Sequence, residues 1–423
     1  MKKIVTILFL LPIMFLGSYG YAEKINKALV DEQTLKNNPS IAVAKLELDN
    51  AKQAYYGSFD SFFPEATFSV ASSQGISKEQ PYGKKYSYGL KTSLSLFSGF
   101  QTYNGVKEQA AKVKVAQARY DRAVSDAMCT ARLGYVDLMW AYETVGLSVQ
   151  IRERRIKNKD LIKLKYNSGK ADIGSLRIGE ADVAMADYSL RKAQRHIETA
   201  SASLLKAIGR NDDAVILETD EKIFLEQALP KPDYNSLITT IPEFLVAKYG
   251  QDVHKAHNAM IKGQWLPSIS IFGNMGRISD KWSPDSEDWN AGIKASYPIF
   301  SGGRRYSDVK IASNGLKIAS EKLKDEISGL KAKAAQHYNE LIDAQEAIET
   351  KTYCLGALKL QAEISSKKYV NGLSTYSDWY AIEGNYISSQ NELLDVKKDA
   401  ARLRVKWDKF LGKGFANDKD RGK

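Results

Sequence analysis

The chain has 423 residues, of which 43% are hydrophobic and only 10 are prolines, and its formal net charge is +11. So few prolines in a chain rich in Ala, Leu, Lys and Glu favour long helices over the two or three ordinary domains that this length allows. Basic and acidic residues alternate along the presumed helices, as in Lys322-Leu323-Lys324-Asp325-Glu326. The charge therefore indicates a solvated surface rather than a nucleic-acid-binding patch.

The first residues have the layout of a cleavable export signal. Two lysines precede an apolar run, residues 4–16, which ends in small residues before Gly20-Tyr21-Ala22. This run is too short to span a bilayer, and no later stretch reaches the roughly 18 to 20 apolar residues of a membrane helix. We predict a signal peptide over residues 1–22, no lipid anchor, and insertion into a membrane only through strands.

The chain contains an internal repeat with a constant offset of 203 residues. A gapless offset through so many matches indicates two tandem copies of one unit. We place the first copy at 23–210 and the second at 242–413, with a linker at 211–241 and a polar tail at 414–423. The matches include Val43-Ala44-Lys45 with Val246-Ala247-Lys248, Pro64 with Pro267, Leu96-Phe97-Ser98-Gly99 with Ile299-Phe300-Ser301-Gly302, Lys165-Tyr166 with Lys368-Tyr369, and Gly169 with Gly372.

Each repeat begins with an amphipathic helix, about Ser40 to Phe62 and Glu243 to Trp265, that stops at a proline. A strand pair follows, at about 64–73 and 86–97 in the first repeat and about 267–276 and 289–300 in the second. The later strand of each pair alternates with a period of two, which predicts one apolar and one polar face. The apolar set is Tyr86, Tyr88, Leu90, Thr92, Leu94 and Leu96, then Trp289, Ala291, Ile293, Ala295, Tyr297 and Ile299, whereas Lys91 and Lys294 lie on the polar face.

A long helical hairpin follows each Ser-Gly, at 99–210 and 302–412. Its first helical pattern runs for about 65 residues, or about 100 Å at 1.5 Å per residue. In the second repeat the apolar residues recur at the alternating spacing of three and four that is typical of a coiled-coil seam. The pattern breaks at Asn167-Ser168-Gly169 and Val370-Asn371-Gly372, after which a return helix runs to about Gly209 and Gly412.

The predicted fold is therefore mainly α with a small β part, in two tandem repeats of helix, β-hairpin and long coiled-coil helical hairpin. Four strands cannot close a membrane barrel, because about eight or more are needed to leave no open edge in lipid. The chain must assemble with other copies if its strands enter a membrane.

This order of elements resembles the TolC-like outer-membrane efflux and secretion proteins, also called outer membrane factors, over nearly the whole mature chain. The resemblance rests on Leu-Phe-Ser-Gly at 96–99, Tyr-Pro-Ile-Phe-Ser-Gly-Gly at 297–303, and the turns Tyr166-Asn167-Ser168-Gly169 and Tyr369-Val370-Asn371-Gly372. It implies a homotrimer with a twelve-strand membrane β-barrel and a periplasmic α-barrel. The sequence departs from the family pattern at Ser175, which is equivalent to Asp378, and the nearest acid there is Asp172.

The resemblance also implies the function. We expect an outer-membrane channel subunit of a tripartite efflux pump, located in the cell outer membrane with a large periplasmic part. It would be a passive tunnel in contact with outer-membrane lipid, gated at its periplasmic tip by a periplasmic adaptor protein and an inner-membrane transporter. Two alternatives stay open, which are a conduit for type I protein secretion and a non-channel structural coiled-coil protein of the envelope.

The predicted gate residues surround the hairpin turns. A ring of Asp378 carboxylates around the axis would attract cations, although Asp378 is also placed to cap the return helix. Glu383 recurs as Glu180 in the first repeat, and either lines the lumen or pairs with a neighbour's lysine. Phenolic hydroxyls at the turns either bond across hairpins or only pack. The full set is Asp172, Asp378, Glu383, Tyr166, Tyr369 and Tyr376.

By resemblance, the turn residues Gly169, Gly372, Leu373 and Ser374 would contact the adaptor, while the two glycines also supply the positive φ of a tight turn. Tyr86, Trp289 and Tyr297 would lie at the lipid–water boundary as aromatic girdles do. Lys91 and Lys294 would put positive charge in the pore. The alternative for the strands is a pair packed on a soluble core.

The sequence predicts no enzyme, no catalytic residues, no metal site, no cofactor and no nucleic-acid partner. It has no Walker loop, no HExxH and no GxSxG, and His254-x-x-His257 lacks a third ligand and is expected to be solvated. Cys129 lies 37 residues before Tyr166 and Cys354 lies 15 before Tyr369. On aligned helices this difference is about 30 Å, beyond the reach of a disulfide.

Overall fold

The computed structural model describes residues 22–75, 83–212, 215–223 and 230–412. The predicted signal peptide, except Ala22, and the predicted C-terminal tail lie outside the described residues. Part of the loop between the first two strands and parts of the linker lie outside them as well.

The described residues form eight α-helices and six strands, and short 3-10 turns follow two of the helices. In chain order the elements are β1 (Ala22–Lys24), α1 (Lys27–Asn37), α2 (Pro39–Gly57), β2 (Glu65–Gly75), β3 (Gly83–Ser98), α3 (Gln101–Asn167), α4 (Ile173–Ala207), β4 (Ile216–Glu218), α5 (Tyr234–Ile238), α6 (Pro242–Lys262), β5 (Ser268–Ser279), β6 (Ser286–Ser296), α7 (Arg304–Val370) and α8 (Tyr376–Leu411).

The chain divides into two compact units, and each takes residues from both sequence repeats. The first, called the tip unit, takes its described residues from within Met1–Gln33, Ala131–Phe224 and Lys351–Lys398. The second, called the sheet unit, takes its described residues from within Thr34–Thr130, Leu225–Thr350 and Asp399–Lys423. Helices α1, α3, α7 and α8 contribute to both units. Units and repeats therefore divide the chain differently.

The sheet unit contains an antiparallel sheet in the order β2-β3-β5-β6. Each hairpin pairs two strands that are consecutive in the chain, so that Glu65 lies opposite Ser93 and Ser268 lies opposite Ser296. The central pair, β3 with β5, joins the two repeats and places Leu94 opposite Ile271. The two-repeat fold predicted from the sequence, mainly helical with one β-hairpin in each repeat, is confirmed.

The sheet has one apolar and one polar face. Directly opposite residues of antiparallel strands share a face, so the register decides which side chains lie together. One face is mostly apolar and carries Phe68, Val70, Tyr86, Tyr88, Leu90, Leu94, Ile271, Met275, Trp289 and Ile293 together with Arg277 and Glu287. The other is mostly polar and carries Thr67, Ser69, Ser87, Lys91, Ser93, Asn274, Asn290 and Lys294 together with Phe272 and Ile278. The alternation predicted for both repeats is correct for these residues.

Two details of the predicted strands are wrong. The register of β3 against β5 shifts between Ser95 and Phe97, so the predicted alternation does not continue through Leu96. Strand β6 ends at Ser296 instead of residue 300, because β5, its neighbour in the sheet, begins opposite Ser296. Pro298 adds a second reason, since proline has no N–H to donate to a ladder.

The chain passes from strand β3 to helix α3 at Gly99, where its backbone lies close to that of Gly263 between α6 and β5. A Cβ on Gly99 would lie 2.3 Å from the Gly263 carbonyl oxygen, and Gly99 has a φ of +63°. Only glycine fits both conditions, which explains the Ser-Gly at the end of β3. The buried residues Ile41, Val124, Ala127 and Met128 form one core cluster of the sheet unit, and Ile238, Ile241, Phe244 and Leu330 form another.

In the tip unit, each long helix ends in the same turn. Gly169 and Gly372 have φ values of +71° and +75°. The N–H of the next residue returns to a carbonyl five positions back, from Lys170 to Lys165 and from Leu373 to Lys368, at 2.8 Å in both cases. This is the Schellman ending of a helix, which needs a left-handed residue after the last turn.

The start of the described chain is fixed in the tip unit. Strand β1 pairs in parallel with β4. The Arg210 guanidinium donates to both carboxylate oxygens of Glu23 at 2.8 Å, and Arg132 donates to both carboxylate oxygens of Asp31. Bidentate pairs of this kind fix orientation as well as position. No helix in the described part of the chain is long and apolar enough to cross a membrane.

Candidate functional site

The candidate site is the group of side chains around the two hairpin turns of the tip unit. In the first turn Asp172 caps α4. Its Oδ1 accepts the Ser175 N–H at 2.9 Å, and its Oδ2 accepts the Ser175 hydroxyl at 2.7 Å. The hydrogen bond from the Ser175 hydroxyl is the main reason that the pKa of Asp172 lies below its ordinary value of 3.8.

In the second turn the carboxylate and the hydroxyl have exchanged positions, so that the hydroxyl residue comes first in the chain and the acid follows three residues later. The Thr375 hydroxyl accepts the Asp378 N–H at 3.1 Å and donates to the Asp378 carboxylate at 2.7 Å. Thr375 is equivalent to Asp172, and Asp378 is equivalent to Ser175. The departure of Ser175 from the family pattern is therefore an exchange of acid and hydroxyl between two positions of one cap. Asp378 is exposed, and the predicted ring of Asp378 carboxylates stays a prediction.

Glu383 lies inside the tip unit and not on its surface. Its side chain is 1% exposed. Arg154 on α3 donates to its two oxygens at 2.6 and 2.8 Å, and Asn158 donates at 3.1 Å. In this conformation Glu383 forms an ion pair with an arginine of its own chain and reaches neither a lumen nor a neighbour's lysine, and its role at a gate stays a prediction.

Glu180, the first-repeat equivalent of Glu383, has a different environment. It is 45% exposed and pairs with Arg177, three residues earlier on the same helix, at 2.7 Å. The residue equivalent to Arg154 in the second repeat is Ala357, which has no charge. The two glutamates therefore do not share a role, although they recur at the repeat offset.

The tyrosines at the turns also differ between repeats. Tyr369 is 4% exposed and stacks on Trp379, with ring centroids 4.5 Å apart, whereas Tyr166 is 39% exposed. Burial raises the pKa of Tyr369, and it raises that of Tyr376 to about 12. Within the described residues, the hydroxyls of Tyr369 and Tyr376 have no hydrogen-bond partner. In this conformation these two tyrosines pack, which is one of the two alternatives predicted for them, and their role at a gate stays a prediction.

A phenolic hydroxyl does bond across hairpins, but it belongs to a residue that the sequence did not single out. Tyr380 on α8 donates to Asp182 on α4 at 3.2 Å, and Arg155 on α3 donates to the same carboxylate at 2.9 Å. Burial is the largest cause of the raised pKa of Tyr380, and the nearby Asp182 carboxylate adds to it. At neutral pH the phenol is therefore a donor.

A third connection joins the hairpins at their ends. Lys165 on α3 is buried, lies 4.7 Å from the centroid of the Tyr369 ring, and donates to the Val370 carbonyl at 3.2 Å. A cation at the C-terminus of α7 also satisfies one of the carbonyls that a helix end leaves free. Within the tip unit, the α3–α4 hairpin is thus bonded to the α7–α8 hairpin at Glu383, Asp182 and Val370.

One sequence signal could have located these missed residues. The first repeat has Arg154-Arg155, Asp182 and Asp187, where the second has Ala357-Leu358, Asn385 and Gln390. The charges are thus confined to one repeat, which indicates a bonding pattern that the repeats do not share. No sequence rule pairs these residues with Glu383 and Tyr380, because the pairs depend on how the hairpins pack.

The turn residues predicted to meet an adaptor lie at the surface. Gly169 and Gly372 are exposed, Leu373 is 75% exposed, and Ser374 is half-buried. A Cβ on either glycine would meet no atom of the described chain within 4 Å. The turns are therefore open for contact, and their role in binding stays a prediction.

Elsewhere in the described chain, no three His, Cys, Asp or Glu side chains converge in a way that could hold a metal ion. His257, expected to be solvated, has its Nδ1 3.0 Å from a Glu108 oxygen in the sheet unit. Cys129 is buried and Cys354 is exposed, and no disulfide joins them in the structure as described.

Comparison with known proteins agrees with this architecture. The chain matches the outer membrane efflux protein family over residues 30–210 and 234–413, and it belongs to that family. Among solved structures it is similar to CusC, with a TM-score of 0.82 and 15% identity over 94% of this chain and 96% of that one. It is similar to the Campylobacter jejuni CmeC outer membrane channel, with a TM-score of 0.81 and 17% identity over 99% and 95%.

The outer membrane protein VceC of Vibrio cholerae gives a TM-score of 0.80 with 16% identity over 92% of this chain and 97% of that one. Among curated proteins, the fusaric acid resistance protein FusA of Burkholderia cepacia is 23% identical over 197 residues. That match covers 43% of this chain and only 36% of FusA. The structural likenesses extend over almost the whole fold, whereas the match to FusA is partial.

Proposed function

We propose that the chain is one of three identical subunits of an outer-membrane channel, a passive tunnel that serves a tripartite efflux pump. The strands lie in the outer membrane and the helices lie in the periplasm. The tunnel closes at the hairpin turns and opens when a periplasmic adaptor and an inner-membrane transporter engage there. The chain itself carries out no chemistry and needs no cofactor.

The observation that carries this proposal is the sheet. Its apolar face exposes large side chains, with Phe68 66% and Trp289 72% exposed. Its other face is formed mostly by small and polar residues. A soluble protein rarely leaves such a face uncovered, whereas a membrane barrel needs lipid on one side and water on the other. Four strands cannot close alone, and three copies give the twelve strands that the resemblance implies.

The helices support assembly in the same way. In the tip unit, α4 exposes Ile178, Met185 and Tyr188, while α7 exposes Tyr353, Leu360 and Ile364. Both sets recur at spacings of three, four or seven residues, as the contact seam of a helix does. Within one chain the hairpins bond through other residues of these helices, such as Asp182 on α4 and Val370 on α7. The exposed apolar residues of α4 and α7 are therefore available to neighbouring copies.

The bonds between hairpins support a gate. To open the tip by separating the hairpins, the Arg154–Glu383 and Tyr380–Asp182 bonds must break. Separating a buried ion pair costs about 3–5 kcal/mol when the buried charge is left without a partner. Such a barrier keeps the tip shut until a partner supplies binding energy at the exposed turns. Asp172 and Asp378 would add carboxylates to the same entrance.

Small molecules are the favoured cargo. The name of FusA associates that partial relative with resistance to fusaric acid, which is a small molecule. No observation favours type I protein secretion over this. A non-channel coiled-coil protein of the envelope is disfavoured by the exposed apolar face of the sheet, which would have nothing to cover it.

The proposal is tested by the susceptibility of a deletion strain to dyes, detergents and antibiotics. We expect sensitisation, because loss of the exit duct blocks every pump that uses it. A plasmid with the wild-type gene should restore resistance, and one with Leu94→Arg should not, although Ser93→Arg should. Unchanged susceptibility of the deletion strain to all compounds would contradict a role in efflux.

A further inference from the structure

The polar face of the sheet carries two lysines whose charge has no compensation across the strands. Lys91 on β3 and Lys294 on β6 are both exposed and occupy the same position in the two repeats. Lys91 lies opposite Thr67 and Asn274, and Lys294 lies opposite Ser270. Because these neighbours are neutral, neither ammonium group has a carboxylate opposite it in the described strands. Both charges therefore face whatever lies on the polar side of the sheet.

The other charges of this face do not cancel the two lysines. In the described strands they are Lys85, Asp288 and Glu65. Lys85 and Asp288 are repeat equivalents of opposite sign, so they offset each other. Glu65 lies two residues from Thr67 on β2, and its repeat equivalent is the neutral Ser268. The acid therefore occurs in one repeat only, whereas the uncompensated lysine occurs in both.

In the proposed channel the two lysines come to nearly the same height. Lys91 shares a row across the strands with Asn274 and Asn290, and Lys294 lies four residues further along β6. This stagger is about 13 Å along the strand, against about 10 Å across two strand spacings. A strand tilt of about 45° brings two such positions level to within about 3 Å. Three copies then place six ammonium groups in one ring.

The size of the barrel decides whether such a ring affects what passes. Twelve strands about 4.8 Å apart and tilted by about 45° enclose a backbone radius of about 13 Å. A lysine side chain reaches inward by about 6 Å, which leaves the ammonium groups about 7 Å from the axis. The Debye length at physiological ionic strength is about 8 Å. The field of the ring therefore extends across the whole opening.

We propose that Lys91 and Lys294 form an anion filter inside the barrel and that the cargo of the channel is small organic anions. A carboxylate or sulfonate that passes the ring takes the place of a counter-ion, whereas an organic cation is repelled by six like charges. The inference rests on the proposed channel and adds the sign of the charge that the channel favours. If the lysines only keep the polar face hydrated, the pore does not distinguish anions from cations.

Ion selectivity in planar lipid bilayers tests the filter. The parent protein carries Asp182→Asn and Tyr380→Phe, so that a closed tip does not limit the current. The test variant adds Lys91→Ser and Lys294→Ser, because serine is already the commonest residue of the polar face. The matched control adds Lys91→Arg and Lys294→Arg, which keep both charges. The carboxylates of the tip unit are the same in all three proteins, so a difference in selectivity belongs to the ring.

Reversal potentials give the permeability ratios. They are measured in a gradient from about 0.1 to 0.01 M potassium chloride, where the Debye length is about 10–30 Å. We expect the ratio of chloride to potassium permeability to be at least about threefold higher in the parent and in the arginine control than in the serine variant. The ratio of benzoate to tetraethylammonium permeability should differ in the same way. At about 1 M salt, where the Debye length is about 3 Å, the three proteins should agree.

The outcomes separate failure of the filter from failure of the channel. A serine variant with the same ratios as its parent would overturn the filter, while the channel proposal would stand because the pore still conducts. A change for chloride without a change for benzoate would overturn the assignment of the cargo. If the double serine variant does not assemble, each single serine variant should show about half of the change and decides in the same way. Oligomers without any conductance would remove the channel, and the filter with it.

Discussion

The two repeats are alike in the sheet unit and unlike in the tip unit. In the sheet their hairpins share one register, and the equivalent glycines Gly99 and Gly302 both have a positive φ. At the tips their backbones still end in the same turn, yet the side chains differ. Glu383 is buried against Arg154, while Glu180 is exposed beside Arg177.

This contrast follows from what each region has to do. Strands in a barrel must continue one ladder and two faces around a ring, so any block that departs from the common register breaks the sheet. Helical hairpins at a closing tip have no such constraint. If all hairpins were equivalent, every contact between them would be the same. Because the contacts differ, the two hairpins of one chain can be joined by strong bonds while their other sides remain available to a neighbouring copy.

The largest expected effect comes from removing Glu383, and the matched change removes its repeat equivalent, Glu180. Glu383→Ala leaves Arg154 without its carboxylate, and we expect a loss of about 3 kcal/mol, the low end for a buried pair because Arg154 is partly exposed. Hydrogen exchange of amides in the first half of α8 should then accelerate about 100-fold. Glu180→Ala should cost less than about 0.5 kcal/mol because its pair is exposed. Equal effects would mean that the repeats are equivalent at the tips after all.

A substitution in the strands should give the opposite result, with both repeats responding alike. Leu94→Arg and Ile293→Arg each place a charge on the apolar face, where it costs about 2–4 kcal/mol at the centre of a bilayer. We expect much less heat-modifiable oligomer in outer membranes for both variants. Ser93→Arg, on the polar face, is the control and should assemble. Assembly of Leu94→Arg at the wild-type level would refute the assignment of faces.

The cap of α4 should still form when its acid and hydroxyl residues are exchanged to match the cap of α8. Asp172→Ala removes the cap of α4, and we expect several-fold faster hydrogen exchange in its first turn. Asp172→Thr combined with Ser175→Asp reproduces the arrangement of Thr375 and Asp378, and it should restore protection. If the double variant exchanges as fast as Asp172→Ala, the two caps are not equivalent.

The same cap predicts a dependence on pH. The pKa of Asp172 is lower in the folded chain than its ordinary value of 3.8, mainly because of the Ser175 hydroxyl. A carboxylate with a lowered pKa contributes stability above its ordinary pKa, and the contribution is lost as the pH falls through the folded pKa. Relative to Asp172→Asn, protection of the first turn of α4 should be constant from about pH 8 to 5 and decline below about pH 4.

The sequence predicted most of the fold because its signals are local or repeated. The period of two in β3, the glycines of the turns and the 203-residue offset each depend on residues that are close in sequence or equivalent in the repeat. The sequence pattern alone extends strand β6 too far, because the end of this strand depends on where β5 begins. The site was predicted less well. Tyr380, Asp182 and Arg155 meet only when two hairpins pack, and the burial of Glu383 depends on the same packing.

In the proposed channel, bonds between the hairpins of each chain keep the tip closed. Conductance in planar lipid bilayers measures this closure. We expect small, infrequent currents from the wild-type oligomer and a several-fold larger conductance from the Asp182→Asn, Tyr380→Phe variant, while Glu180→Gln behaves as the wild type. Fully open wild-type pores, or a variant with unchanged conductance, would contradict the gate. The absence of any pore from purified oligomers would contradict the channel itself.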